Sequence, residues 1–227
     1  MKNNHKALLV SLCALLLVVT SVFGTFAYFV DTEFATNTFT VGKVDIELDE
    51  TDTDSVPGGN RYHLLPGHSY TKDPTVTVVE KSENAYVRMI VTVTKVAELK
   101  AALGDAYKPT DLNEDGEADV ALEMLLKDKD GNTTWNYNYW HFVEYKENGS
   151  DATYEFRYYN YITKVDYVVK SDSATKLPAL FTTIKVPGEL DNADIAHLAN
   201  VTIVVEAHAI QAAGFANADE AWSNFTK

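Results

Sequence analysis

Asp111, Asn113, Asp115, Glu117 and Asp119 put oxygen-bearing residues at alternate positions around Gly116. That spacing is the front of a calcium loop, in which side-chain oxygens at positions one, three, five and nine and a main-chain carbonyl at seven surround a hard cation, with glycine at six for the tight turn. The twelfth position departs from the pattern, because it is Leu122 where a bidentate glutamate is expected, and Glu123 lies one residue beyond. The stretch reads either as a structural calcium site of low affinity or as a solvated acidic turn.

A zinc peptidase commonly carries two histidines one helical turn apart with a glutamate base, as in H-E-x-x-H. No such spacing occurs, and His63, His68, His141, His197 and His208 are scattered. His141 and Glu144 come nearest, but regular strand alternation would send them to opposite faces. Glu206 and His208 share a strand face and are placed to pair. No phosphate loop, nucleophile elbow or dinucleotide fingerprint is present, so catalytic and cofactor-binding residues are not assigned. Trp135, Tyr137, Tyr139, Trp140, Tyr145, Tyr154, Phe156, Tyr158, Tyr159 and Tyr161 form an aromatic concentration. Cross-strand packing accounts for it most simply, with a binding surface as the alternative.

These residues sit in a chain that begins as an export signal. Lys2 and Lys6 precede an apolar run over 7–23, and Thr25 and Ala27 supply the small residues of a cleavage site, which predicts a cut between Ala27 and Tyr28. A retained membrane anchor is the alternative, and uncleaved this segment is the only membrane contact expected. Cys13, the only cysteine, leaves with the segment, so disulfides and thiolate chemistry are excluded from the remainder. The remainder carries 17 basic against 33 acidic residues, a net charge of −16. That balance opposes nucleic acid and anionic membrane surfaces.

Residues 28–50 read as an arm leading into a first strand, with Val44, Ile46 and Leu48 on one side. Residues 51–227 read as one domain, interrupted near 95–130 by a helical and acidic insertion with helices at Val96–Leu103 and Val120–Lys127. The β-branched runs Pro74–Val79 and Ala85–Thr94 are strands, and Val87, Met89, Val91 and Val93 form a core face with Arg88 opposite. Trp135–Lys146 and Ala152–Thr163 flank Glu147-Asn148-Gly149-Ser150, in which Asn-Gly signals a hairpin. Val165–Val169, Leu180–Val186 and Val201–Ile210 complete the strands, and a capped helix is expected at Asn192–Leu198. The fold class is therefore an all-β antiparallel sandwich. An N-terminal strand with an apolar face is a natural donor to another copy's sheet edge.

The blocks Gly24-Thr-Phe-Ala-Tyr-Phe-Val-Asp31, Asn37–Gly42 and Lys43–Leu48 resemble the start of the TasA/camelysin family. Leu65-Pro-Gly67, Lys72-Asp-Pro74 and Ala85–Arg88 resemble its second block, and Leu180-Phe181, Pro187-Gly188, Ala209–Phe215 and Ala221-Trp222 its C-terminal block. The resemblance implies a jelly-roll-like sandwich, processed by a signal peptidase of SipW type and secreted to the surface or matrix of a Gram-positive-type bacterium. It also implies self-association into fibres through the new N-terminus. Phe29, Phe34, Phe39, Val44, Ile46 and Leu48 are the assembly residues on this reading. The camelysin label implies, as an alternative, a surface metalloendopeptidase.

Overall fold

β4 (Ala85–Val93) is an interior strand of the largest described sheet, and its strict alternation gives it a core face. Val87, Met89, Val91 and Val93 face inward and are fully buried, while the intervening residues face out. The computed structural model describes residues 43–51, 65–104, 126, 130, 132–198 and 201–226. Within them β4 is flanked by β10 (Ile203–Gln211) and β6 (Asp151–Asn160), and β6 by β5 (Trp140–Asn148), all antiparallel. The short β7 (Val165–Asp166) also pairs with β6.

A second layer consists of β1 (Ile46–Asp49), β3 (Thr75–Val78) and β8 (Thr175–Lys176), with a two-stranded sheet of β2 (Ser69–Thr71) and β9 (Thr183–Lys185). Val76 and Val78 of β3, Ile184 of β9 and the nearby Leu180 and Phe181 join the inward residues of β4, β5 and β6 in one core. That makes the fold an all-β sandwich, as the strand pattern requires. Pro187-Gly188 and Leu65-Pro-Gly67, far apart in sequence, meet where the Gly67 N–H donates to Val186 O at 2.9 Å. Gly67 has φ +73°, and a Cβ there would stand 3.7 Å from Gly188 Cα.

The helix α1 (Val96–Leu103) buries Val96, Leu99, Ala102 and Leu103, the spacing that predicts it. α2 (Asn192–Leu198) is held by a reciprocal cap. Asp191 Oδ1 accepts from the Ala193 and Asp194 N–H groups, and the Asp191 N–H donates to Asp194 Oδ2. The bonds from Asp194 and Ala193 hold the Asp191 carboxyl below its ordinary value. α3 (Ala218–Ser223), behind the Asn217 cap, returns the C-terminus to the sheet. The expected helix at Val120–Lys127 lies outside the described residues except for Leu126, a buried residue in a bend. Among the described residues no helix is long and apolar enough to cross a membrane.

Three details of the hairpin differ from the sequence expectation, one being that its second strand ends at Asn160, with 161–164 in a turn, and not at Thr163. The first strand does not begin at Trp135, because Tyr139 and Trp140 donate back to Asn136 O in a turn. The loop is Gly149-Ser150, closed by the pair Asn148 and Asp151, so the Asn-Gly dipeptide straddles the corner. Gly149 has φ +67° and Ser150 does not share it, the pattern of a type II′ turn with glycine first. A Cβ at Gly149 meets nothing within 4 Å. Gly149→Ala is therefore expected to cost about 1 kcal/mol through backbone strain alone. A urea midpoint within error of the parent would show that the turn tolerates the change.

Candidate functional site on the outer face of the five-stranded sheet

The residues that alternate away from the core put charge on the other face of the sheet. Register makes this a row: His141 on β5 lies opposite Arg157 on β6, Arg157 opposite Arg88 on β4, and Arg88 opposite His208 on β10. An adjacent row holds Glu144, Glu155, Ile90 and Glu206.

Glu155 bridges the two arginines, accepting from Arg157 Nε at 2.6 Å and Arg88 Nη1 at 3.2 Å. Arg157 Nη1 also reaches Asp219 Oδ1 at 2.6 Å and Asp166 Oδ2 at 3.5 Å. Burial pushes the Arg88 guanidinium below its ordinary value, against the pull of Glu155 and with the push of Arg157. Burial acts the same way on Arg157, but its hydrogen bonds to Glu155 and Asp219 and the charges of Glu155 and Asp166 hold it above.

His208 Nδ1 accepts from Arg88 Nε at 3.3 Å, which places its ring proton on Nε2, 3.7 Å from Glu206 Oε2. Glu206 and His208 thus share the outer face as expected, with Nε2 and Oε2 3.7 Å apart. Trp222 and Phe225 cover Arg88 at 4.3 and 4.9 Å, and His208 stacks on Phe225 at 5.0 Å. Arg88 of the second block and Trp222 of the C-terminal block therefore meet, with His208 and Phe225 beside them.

The opposite-faces reading of His141 and Glu144 is corrected by a bulge. The register shifts between Phe142, which faces Phe156, and Glu144, which faces Glu155, so Val143 is an extra residue. One inserted residue restores both side chains to the outer face. They do not form a catalytic pair: His141 Nε2 bonds Asp166 Oδ1 at 2.9 Å, and Glu144 bonds Lys146 Nζ at 2.6 Å.

The aromatic concentration divides. Trp140, Tyr154 and Phe156 are fully buried, and cross-strand contacts join Phe142 to Phe156 at 5.5 Å and Tyr145 to Tyr154 at 5.1 Å. Tyr137, Tyr139 and Tyr161 are exposed.

Of the assembly residues, Val44 and Ile46 are half-buried and Leu48 is 40 % exposed. Ile46 and Leu48 pair with Val78 and Val76 of the same chain. β1 has one hydrogen-bonded neighbour among the described strands. Phe29, Phe34 and Phe39, the Ala27 and Tyr28 junction, and the calcium candidates Asp111, Asn113, Asp115, Glu117 and Asp119 lie outside the described residues.

The arginines, Asp219 and the covering Trp222 escaped the sequence reading as a unit. Their parity was visible, since Arg88 already stood opposite the core face. The register that aligns four strands was not.

Residues 5–153 match the family described as camelysin metallo-endopeptidase. No curated protein and no solved structure matches the chain. That family description implies a metal, and among the described residues no group of three or more His, Cys, Asp or Glu side chains is placed to hold one. Within the matched segment His68 Nδ1 lies 3.1 Å from Pro66 O, and His141 is engaged by Asp166 beside an arginine. A guanidinium at that position repels a cation. The described donors do not fit a catalytic zinc, and no chemical step is derived through one. The match covers well over half of the 227 residues, and on that basis the chain belongs to the camelysin metallo-endopeptidase family.

Proposed function

We propose that this chain is an exported surface or matrix structural protein that self-associates by strand addition. In this reading a SipW-type signal peptidase cuts after Ala27, and the arm carrying Phe29, Phe34 and Phe39 adds to β10 of another copy. The observation that carries it is the state of β10.

Among the described strands β10 has a single hydrogen-bonded neighbour, β4. Its core-facing residues Ile203, Val205, Ala207 and Ala209 are only half-buried, whereas their partners on β4 are fully buried. Among the described residues β1 passes beside β10 without hydrogen-bonding to it, and these side chains stay half-buried. β10 runs nine residues with no proline and one acid, the opposite of a protected edge. Because β1 is seated on β3 of its own chain, donation falls to the residues ahead of it.

The pairing also says which positions face a newcomer. The Thr94 N–H donates to Thr202 O and the Ala212 N–H to Asn84 O, so even-numbered residues of β10 bond β4 and odd-numbered ones point their N–H and C=O outward. Ala207→Pro removes an outward donor and spares the β4 ladder.

Electron microscopy of the chain beginning at Tyr28 is expected to show fibres. A chain beginning at Lys43, which loses the arm and keeps β1, and Ala207→Pro in the longer chain, are expected to stay monomeric with β-type circular dichroism. Fibres from Ala207→Pro would sink the β10 assignment, and fibres from the truncated chain the donor arm.

The second reading, a surface metalloendopeptidase, is favoured by the family description. Chelator-sensitive hydrolysis of a general protein substrate by the purified chain would establish it.

A further inference from the structure

The turn after β6 holds an apolar apex away from the protein. Ile162 is 89 % exposed and Val165 62 %, and Tyr137, Tyr139, Tyr161 and Tyr167 stand exposed around them. This is a fixed protrusion. Asn160 Oδ1 accepts from the Ile162 and Thr163 N–H groups at 2.9 and 3.1 Å, and the Lys164 N–H donates to Asn160 O at 2.8 Å. Lys164 has φ +55°, which closes the corner. Its Nζ lies 3.8 Å from the Tyr161 ring centroid.

An apex of this shape cannot enclose a small molecule. It can only enter something softer or hollow.

Composition narrows the choice. In a chain with 33 acids, residues 132–143 and 156–171, which supply the apex and its surround, contain one, Asp166. That acid is engaged by His141 and Arg157. Within these two segments the cations without a bonded acid are Lys164 and Lys170, and Lys164 stands at the apex itself, while the exposed Asp172 follows Lys170 by two residues. An apolar tip, a belt of tyrosines and neighbouring lysines are the components that partition into a bilayer interface. There the apolar residue enters the acyl boundary, tyrosines sit at headgroup level and ammonium groups meet phosphates. The acid-rich remainder of the chain would be repelled from the same surface. Orientation follows from that asymmetry.

We propose that the β6–β7 turn is a bilayer-docking tip, with Ile162 and Val165 entering the interface and Lys164 facing lipid phosphate. The test uses the full chain with Cys13→Ser, carrying an environment-sensitive fluorophore on Thr163→Cys. A second form carries it on Ser150→Cys, at the opposite end of β6. Because residues 7–23 give the full chain its own route to a membrane, the position of the label is what reports docking.

With phosphatidylcholine vesicles containing a minority of phosphatidylglycerol, the label at 163 is expected to brighten and shift to the blue, and the label at 150 to remain unchanged. Ile162→Asp is expected to raise the vesicle concentration at half-response about tenfold or more. Its thermal melt should match the parent, since the side chain packs on little. No response at 163, equal responses at both positions, or an unaltered midpoint in Ile162→Asp would each overturn the proposal.

Discussion

Trp140→Ala is expected to lower stability by about 4 kcal/mol, the typical cost of truncating a large core aromatic. Trp140 is fully buried, and its indole Nε1 donates to Pro178 O at 2.8 Å. It also meets the Tyr158 ring edge-on at 5.3 Å. Alanine would leave a cavity beside the sandwich core and an orphaned carbonyl, which adds about 1 kcal/mol if water does not replace the donor. Against a total stability of about 5–15 kcal/mol for a domain, such a loss leaves little reserve.

The comparator is Tyr139→Ala, one residue earlier and exposed, where the loss should stay near or below about 1 kcal/mol. Urea denaturation of the two variants separates the packing and contact-surface readings of the aromatic residues. A loss below about 1 kcal/mol for Trp140→Ala would mean that the hairpin packs far more loosely than its burial indicates.

That contrast shows what the sequence discloses about this fold. Local rules sufficed wherever a segment buries one continuous face. The apolar spacing of Val96–Leu103 and the Asp191 cap before Asn192–Leu198 predicted helices that the structure places over those same residues. The alternation from Val87 to Val93 fixed the inward face of β4. Local rules failed where a single residue changes the phase. Val143 is inserted without a glycine or proline to announce it, so His141 and Glu144 were assigned to opposite faces and lie on the same one.

Long-range register was the other blind spot. Arg88, Arg157 and His208 come from three strands widely separated in sequence, and nothing local aligns them. Nor does a pattern of alternation say which strand has a neighbour on both sides. β10 and β4 are similarly apolar in sequence, and only their places in the sheet leave one half-covered.

The outer-face row carries the other large effect. Glu155→Ala is expected to destabilise the domain by about 2–3 kcal/mol, below the roughly 3–5 kcal/mol of a wholly buried ion pair because these groups retain some exposure. Arg88 and Arg157 are directly opposed across β4 and β6, and Glu155 is the carboxylate that bonds both.

Without Glu155 the two sites do not suffer equally. Arg157 keeps Asp166 and Asp219, whereas Arg88 keeps the His208 nitrogen and the faces of Trp222 and Phe225. Arg88 therefore bears most of the uncompensated charge. Adding Arg88→Leu to Glu155→Ala should restore part of the loss, since an apolar side chain costs less in this setting than an unpaired cation. Urea denaturation of the single and double variants checks the sign, and a double variant weaker than Glu155→Ala alone would show that Arg88 acts chiefly by packing under Trp222.

The same asymmetry predicts where the damage spreads. Arg88 carries the aromatic cover of the C-terminal segment, so hydrogen exchange in Glu155→Ala should rise first at Ala218–Ser223 and not along β5. On that account the row works as a clamp between sheet and C-terminus. Its guanidinium groups, already committed to three carboxylates and two rings, are engaged in holding the fold.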